Sequence, residues 1–138
     1  MISAGIVADA NVLLSAALGK AASRVFSEFR VPVHTTLFNA GEVEEYLPRL
    51  SIKYGISLDV LQLQWDLLPL HVHDYESYKD YFEAAERDLA SLDPEDAHPL
   101  ALARALSLPL WSNDSDLAET GVVCYTTARL LKILAPTG

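Results

Sequence analysis

Carboxylates recur in this sequence where an α/β fold would present them to a ligand. Asp9 closes the apolar run Gly5 to Ala8, and Glu42, Glu44 and Glu45 follow the run Pro32 to Thr36. Asp93, Glu95 and Asp96 precede a stretch rich in Leu and Ala, and Asp114 and Asp116 follow Leu110 and Trp111. Carboxylates held within a few ångströms repel one another and raise each other's pKa. A hard divalent cation removes that conflict, and Mg2+ or Mn2+ prefers such oxygen ligands. Each group also has an ordinary structural role. Asp93 before Pro94 suits a helix N-cap with proline at N1, and Asp96 then complements the helix dipole at N3. Glu44 and Glu45 suit a solvated helix face, and Asp114 with Asp116 suits a turn. Asp9 is different, because a carboxylate that ends an apolar strand between apolar neighbours needs a partner.

The apolar pattern predicts the elements that must position these groups. Short strands are expected at Gly5 to Ala8, Pro32 to Thr36, Pro69 to His73, Leu110 to Trp111 and Val122 to Tyr125. Helical spacing covers Asn11 to Leu18, Ala21 to Phe29, Leu37 to Leu50, Ser57 to Leu67 and Asp74 to Ala90. It resumes after Asp93 and Pro94 as far as Ser107, and again over Thr126 to Leu134, with Pro136 and Gly138 ending the chain. Strands separated by helices imply a mostly parallel sheet covered on both faces. Ligands of such sheets bind beyond the carboxyl ends of the strands, where Asp9, Asp114 and Asp116 fall.

Composition narrows the class. With 138 residues, 51% of them apolar, the chain suits one domain spanning residues 1–138 and excludes a disordered tail. A single cysteine, Cys124, excludes an internal disulfide framework, points to a reducing, cytoplasmic setting, and suits a core position in an apolar strand. The run Ala4 to Gly19 is interrupted by Asp9 and Asn11, and no run reaches the roughly 18 apolar residues of a membrane span. A net charge of −9 makes passive phosphate binding unfavourable, so a nucleic-acid role has to come from a site or from bound cations.

Other chemistries find less support. His71 and His73 alternate on a strand and could ligate a metal, although edge histidines are usually solvated. His98 lies on the Asp96 helix without an assigned role. Dinucleotide, P-loop and serine-elbow motifs are absent, and Asp114 and Asp116 lack the glycine and distal glutamate of an EF-hand.

Three segments, in this order, resemble PIN domains. The segment Val7 to Leu18 (VADANVLLSAAL) resembles the family's opening, an Asp ending the first strand with Asn two residues later. The segment Glu42 to Pro48 (EVEEYLP) resembles the helix with the family glutamate, and Asp93 to Leu117 resembles the region with the third and fourth acidic positions. By position, Asp9, Glu42, Asp96 and Asp114 match the acidic quartet, with Glu45 one turn away as an alternative to Glu42. Asp116 matches a position that is often acidic, and Asn11 and Ser112 match supporting polar positions.

The resemblance implies a three-layer α/β/α sandwich and Mg2+- or Mn2+-dependent cleavage of RNA. Asp9, Asp96, Asp114 and Asp116 would hold metal, with Glu42 acting directly or through water. It also implies a small VapC-like toxin, a homodimer restrained by a cognate antitoxin. Arg24, Arg104 and Lys20 are candidate contacts to the RNA backbone, and Trp65, Tyr75, Tyr78 and Phe82 a candidate apolar contact surface. Two other readings remain. A non-catalytic binding module of the same fold would show a broken quartet. A phosphohydrolase with Asp9 as nucleophile typically has a second Asp where this chain has Asn11.

Overall fold

A computed structural model describes residues 2–90 and 92–135. Pro136 and Gly138, expected to end the chain, lie outside the described residues. The strands are β1 (Ile6–Ala8), β2 (Val33–Thr36), β3 (Leu70–His73), β4 (Leu110–Trp111) and β5 (Cys124–Tyr125). The helices are α1 (Ala10–Ala17), α2 (Ser23–Ser27), α3 (Leu37–Tyr54), α4 (Leu58–Asp66), α5 (Lys79–Asp88), α6 (Ala97–Leu106) and α7 (Thr127–Leu134).

The strands form one sheet in the order β3-β2-β1-β4-β5, and every pairing is parallel. Its first three strands run outward from β1 to one side, and β4 and β5 continue on the other. The direction of winding therefore reverses between β1 and β4, which opens a crevice at their carboxyl ends. Asp9 follows β1 there, and Ser112 follows β4.

Alternation along the strands divides the core into two layers. Ile6, Ala8, Val33 and Trp111 pack with Val12, Leu13, Val43, Leu47, Leu61 and Leu130 from α1, α3, α4 and α7. Val7 and Leu110 face the other way, against Ala85 and Leu89 near α5 and Leu100 and Leu102 of α6. The result is the expected three-layer α/β/α sandwich. Each fully buried Leu or Ile in these layers stabilises the fold by about 1.5–3 kcal/mol.

Local differences from the sequence reading have physical causes. Helix α3 runs past Leu50 to Tyr54, tolerating Pro48 inside it, and ends where Gly55 takes a left-handed φ of 63°. The single helix expected over Asp74 to Ala90 is instead a 3₁₀ turn, Tyr75–Ser77, followed by α5. Tyr78 leaves helical geometry between them (φ −137°) and buries its ring in the α5/α6 layer. The segments around α2 and β5 contract to Ser23–Ser27 and Cys124–Tyr125.

Candidate functional site

The crevice is built from helix caps. Asp9 is the N-cap of α1, and its Oδ1 accepts the Val12 N–H at 3.0 Å. Its Oδ2 accepts the Ser112 hydroxyl, a bond between residues 103 apart in sequence. Ser112 Oγ in turn accepts the Asp114 N–H at 3.0 Å, and Asp114 Oδ1 accepts the Asp116 N–H at 2.9 Å. Two hydrogen bonds, the first of them buried, fix the end of β4 and the loop after it on α7. Trp111 Nε1 donates to Thr127 Oγ1 at 3.0 Å, and Asn113 Oδ1 accepts the Thr127 N–H at 2.9 Å.

A second relay starts at β2. Thr36 caps α3, accepting the Asn39 N–H at 2.9 Å and donating to Asn39 Oδ1 at 2.6 Å. Asn39 Nδ2 then donates to Glu42 Oε1 at 3.0 Å. Asn39 and Thr36 are buried, so the orientation of Glu42 is set from inside the fold. Apolar spacing alone gives neither of them a role, although Thr36 directly before a helical run is a recognisable N-cap signal.

Asp9, Asn11, Asn39, Glu42, Tyr46, Asp93, Glu95 and Asp96 line one cavity of about 360 Å³. Glu42 rather than Glu45 reaches it; Glu45 borders a smaller neighbouring recess. Asp114 stands at the margin, outside the lining, and its charge acts on both Asp9 and Asp96. Asp116 joins through its backbone N–H and does not line the cavity. Asp93 and Glu95 line it as fully as the predicted quartet does. Asp93 caps a 3₁₀ turn (Pro94–Asp96), accepting the Glu95 N–H at 3.0 Å.

Asp96 is the last residue of that turn, third after the Asp93 cap as expected, and stands directly before α6, where its side chain caps nothing. Its Oδ2 is buried without a hydrogen-bond partner. Burial, then Asp93, Asp114 and Asp9, push its pKa up to about 7. Glu42 is likewise raised to about 7, by burial first and then by Glu95 and Asp93, against the opposing Asn39 bond. Asp9 is raised by burial, in opposition to the Ser112 and Val12 hydrogen bonds. These shifts describe anionic groups that lack enough positive charge or donors.

The cations proposed from sequence lie elsewhere. Arg24 pairs with Glu28, Arg104 with Asp88, and Lys20 donates to the Tyr54 hydroxyl at 3.0 Å; none lines the cavity. Half-buried Cys124 has its thiol pushed up to about 11, first by burial, which leaves it unreactive. His98 holds the Tyr78 hydroxyl at 2.7 Å through Nδ1 and stacks on Phe38.

A doubly wound sandwich with carboxylates gathered at its switch point is the class that the fold and this cavity define. The model of the PIN domain family matches residues 7–135, and the chain belongs to that family. No curated protein matches the sequence significantly. Among solved structures, PAE2754 from Pyrobaculum aerophilum is similar at a TM-score of 0.74 with 15% identity, over 98% of this chain and 92% of that one. A toxin–antitoxin complex from Klebsiella pneumoniae gives a TM-score of 0.65 with 17% identity, over 89% and 98%. VapC20 of Mycobacterium tuberculosis, described as a sarcin–ricin loop cleaving toxin, gives 0.59 with 20% identity, over 86% and 97%. At these identities the likeness is one of fold.

Proposed function

We propose that this protein is a metal-dependent endoribonuclease and the toxin of a toxin–antitoxin pair. The observation that carries the reading is the buried, unpartnered Asp96 Oδ2 among Asp9, Asp93 and Asp114. Among the described residues, no three His, Cys, Asp or Glu side chains stand ready as a metal cage. The donor set nevertheless fits a hard cation, since it is all oxygen, anionic and short of donors. Asp9, Asp96 and Asp114 would hold Mg2+ or Mn2+, with Asp116 beside Asp114, and Asn11 and Ser112 supporting. A bound ion would supply charge stabilisation at a phosphate and a more acidic water.

The remaining chemistry belongs to the chain. Ser112 keeps Asp9 oriented, and Thr36 with Asn39 keeps Glu42 facing the cavity. With Oε1 held by Asn39 and a pKa about 7, Glu42 can take a proton from water near neutral pH. The similarity to a toxin–antitoxin complex and to an RNA-cleaving toxin supports both the substrate class and an antitoxin partner. An arginine inserted by a basic antitoxin would suit the acidic cavity.

A homodimer in the cytoplasm completes the reading. Of the expected contact groups, Trp65 and Tyr78 are buried, Phe82 is half-buried and Tyr75 is exposed; Leu58, Val60, Leu63 and Leu67 in and beside α4 are further exposed apolar groups for such a contact. No helix among the described residues is long and apolar enough to cross a membrane.

Incubating the purified protein with RNA tests the activity. Cleavage should require Mg2+ or Mn2+, stop with EDTA and return when metal is restored. EDTA-resistant cleavage would overturn the metal mechanism. RNA binding without cleavage under any metal would favour the non-catalytic module.

A further inference from the structure

The acidic cavity continues outward along α3. Glu42, Tyr46 and Glu95 line both it and a second recess of about 220 Å³, which Glu45 and Arg49 complete. Residues 42, 46 and 49 fall on one helical face at spacings of four and three. Arg49 therefore sits about 10 Å along the axis from Glu42, one side-chain length beyond the carboxylates. Tyr46, 42% exposed, forms part of the wall shared by both recesses. The Arg49 guanidinium lies over its ring, 5.3 Å from the centroid.

Two features distinguish this pair. Arg49 is the one cation lining either recess in a chain of net charge −9, and it joins none of the ion pairs among the described residues. Its partner is an accessible aromatic plane, the surface on which unpaired bases stack without regard to sequence. We propose that Tyr46 and Arg49 form a nucleotide-positioning subsite. It takes an unpaired RNA base against Tyr46 and the adjoining phosphate at Arg49, while the neighbouring phosphate lies among the carboxylates. A basic antitoxin segment would meet like charge at Arg49, so the geometry favours RNA as occupant. The inference rests on the ribonuclease reading and adds how the strand is placed.

The test uses the full chain with Mg2+ and labelled, random-sequence single-stranded RNA, following both binding and cleavage. Tyr46→Ala and Arg49→Ala should each weaken binding by roughly 10-fold, the equivalent of one lost stacked or ionic contact. The rate at saturation should change far less, and Tyr46→Phe should restore the affinity. Arg49→Ala alone should reduce the slope of log affinity against log salt by about 0.7, the signature of one lost phosphate contact on a single strand. A purely structural stack would leave that slope unchanged. If the wild type cleaves RNA and both alanine variants match it in affinity and salt slope, the subsite is wrong and the nuclease reading stands. Binding without cleavage in the wild type would sink the chemistry, and the subsite would then be judged on affinity. A wild type that neither binds nor cleaves RNA overturns both. Unchanged RNA affinity with weakened binding of an arginine-rich peptide would assign the pair to a protein partner.

Discussion

Two regions of the sheet concentrate titratable groups, and they resolve the resulting strain in opposite ways. At the carboxyl ends of β1 and β4, Asp9, Asp96 and Asp114 come together with Glu42, Asp93 and Glu95 alongside, and the pKa values of Asp9, Asp96 and Glu42 are raised, first by burial. On β2 and β3, His34, His71 and His73 share the sheet face that carries Val7, because His34 pairs in register with His71 and Thr36 with His73. His34 Nδ1 and His73 Nε2 are 2.9 Å apart, and the His34 and His71 rings stack. Burial first, and then the neighbouring imidazoles, lower the pKa of His34 and His73. Neutral imidazole is donor and acceptor at once, so one ring satisfies the next. Ionised carboxylates only accept, and no rearrangement among themselves supplies a donor. His34 and His73 supply each other's hydrogen bond within the fold; the cleft requires a proton or a cation from outside.

The strongest test of that contrast is catalytic. Asp96→Asn or Asp114→Asn should reduce RNA cleavage by more than the roughly 10–100-fold typical of losing an outer support of a metal ligand. His73→Gln should leave cleavage near the wild-type rate. Equal losses in the two regions, measured as initial rates, would erase the distinction.

A thermal effect of intermediate size should follow. Saturating Mg2+ or Mn2+ should stabilise the wild type by about 2.7 kcal/mol at a hundred times the dissociation constant. Asp9→Asn should lose most of that gain. Without metal it should be at least as stable as wild type, because Asn can still cap α1 and one buried charge is gone. Calorimetric melts with EDTA and with each metal decide this. A less stable variant, together with a wild type indifferent to metal, would mean that Asp9 only holds the strand end together.

The smallest effect is in the pH dependence of the metal-free protein, where the two regions should slope in opposite directions. Asp96 and Glu42 have folded pKa values of about 7, above the ordinary 3.8 and 4.5, so the native state holds more protons between those limits. Stability from the cleft therefore falls as pH rises from about 4 to about 7. His34 and His73 have folded values below 6.5, so the unfolded state binds protons first and stability is lost as pH falls through 6.5. Added Mg2+ should flatten the loss on the alkaline side alone, and a His34→Gln/His73→Gln double variant the loss on the acid side alone. Melting temperatures across this range, each condition compared with wild type in EDTA, provide the measurement.

The sequence by itself determined the order of strands and helices, and it placed Asp9 and Asp114 just after β1 and β4, Asp96 near the start of α6, and Glu42 one to two turns into α3. Both are local matters, governed by apolar periodicity and by which residue follows each strand. The capping role of Asp93 was equally legible, as an Asp before a proline. Helix ends were less so: α3 carries Pro48 in its interior because packing of Val43 and Leu47 outweighs one missing backbone hydrogen bond. Only the tertiary structure decided which carboxylates meet. Asp9 and Ser112 are distant in sequence, and they touch because β4 pairs with β1. Glu42 meets Glu95 and Asp93, rather than Asp9, because two relays approach the cavity from different strands. His34 joined His71 and His73 through the parallel register of β2 and β3, which no local pattern encodes. The expected RNA contacts Arg24, Arg104 and Lys20 found partners elsewhere, and Arg49 came to line the outer recess because it lies two turns beyond Glu42 on one face of α3. A side chain's partners depend on which surfaces the chain brings together, and that is settled only when the sheet assembles.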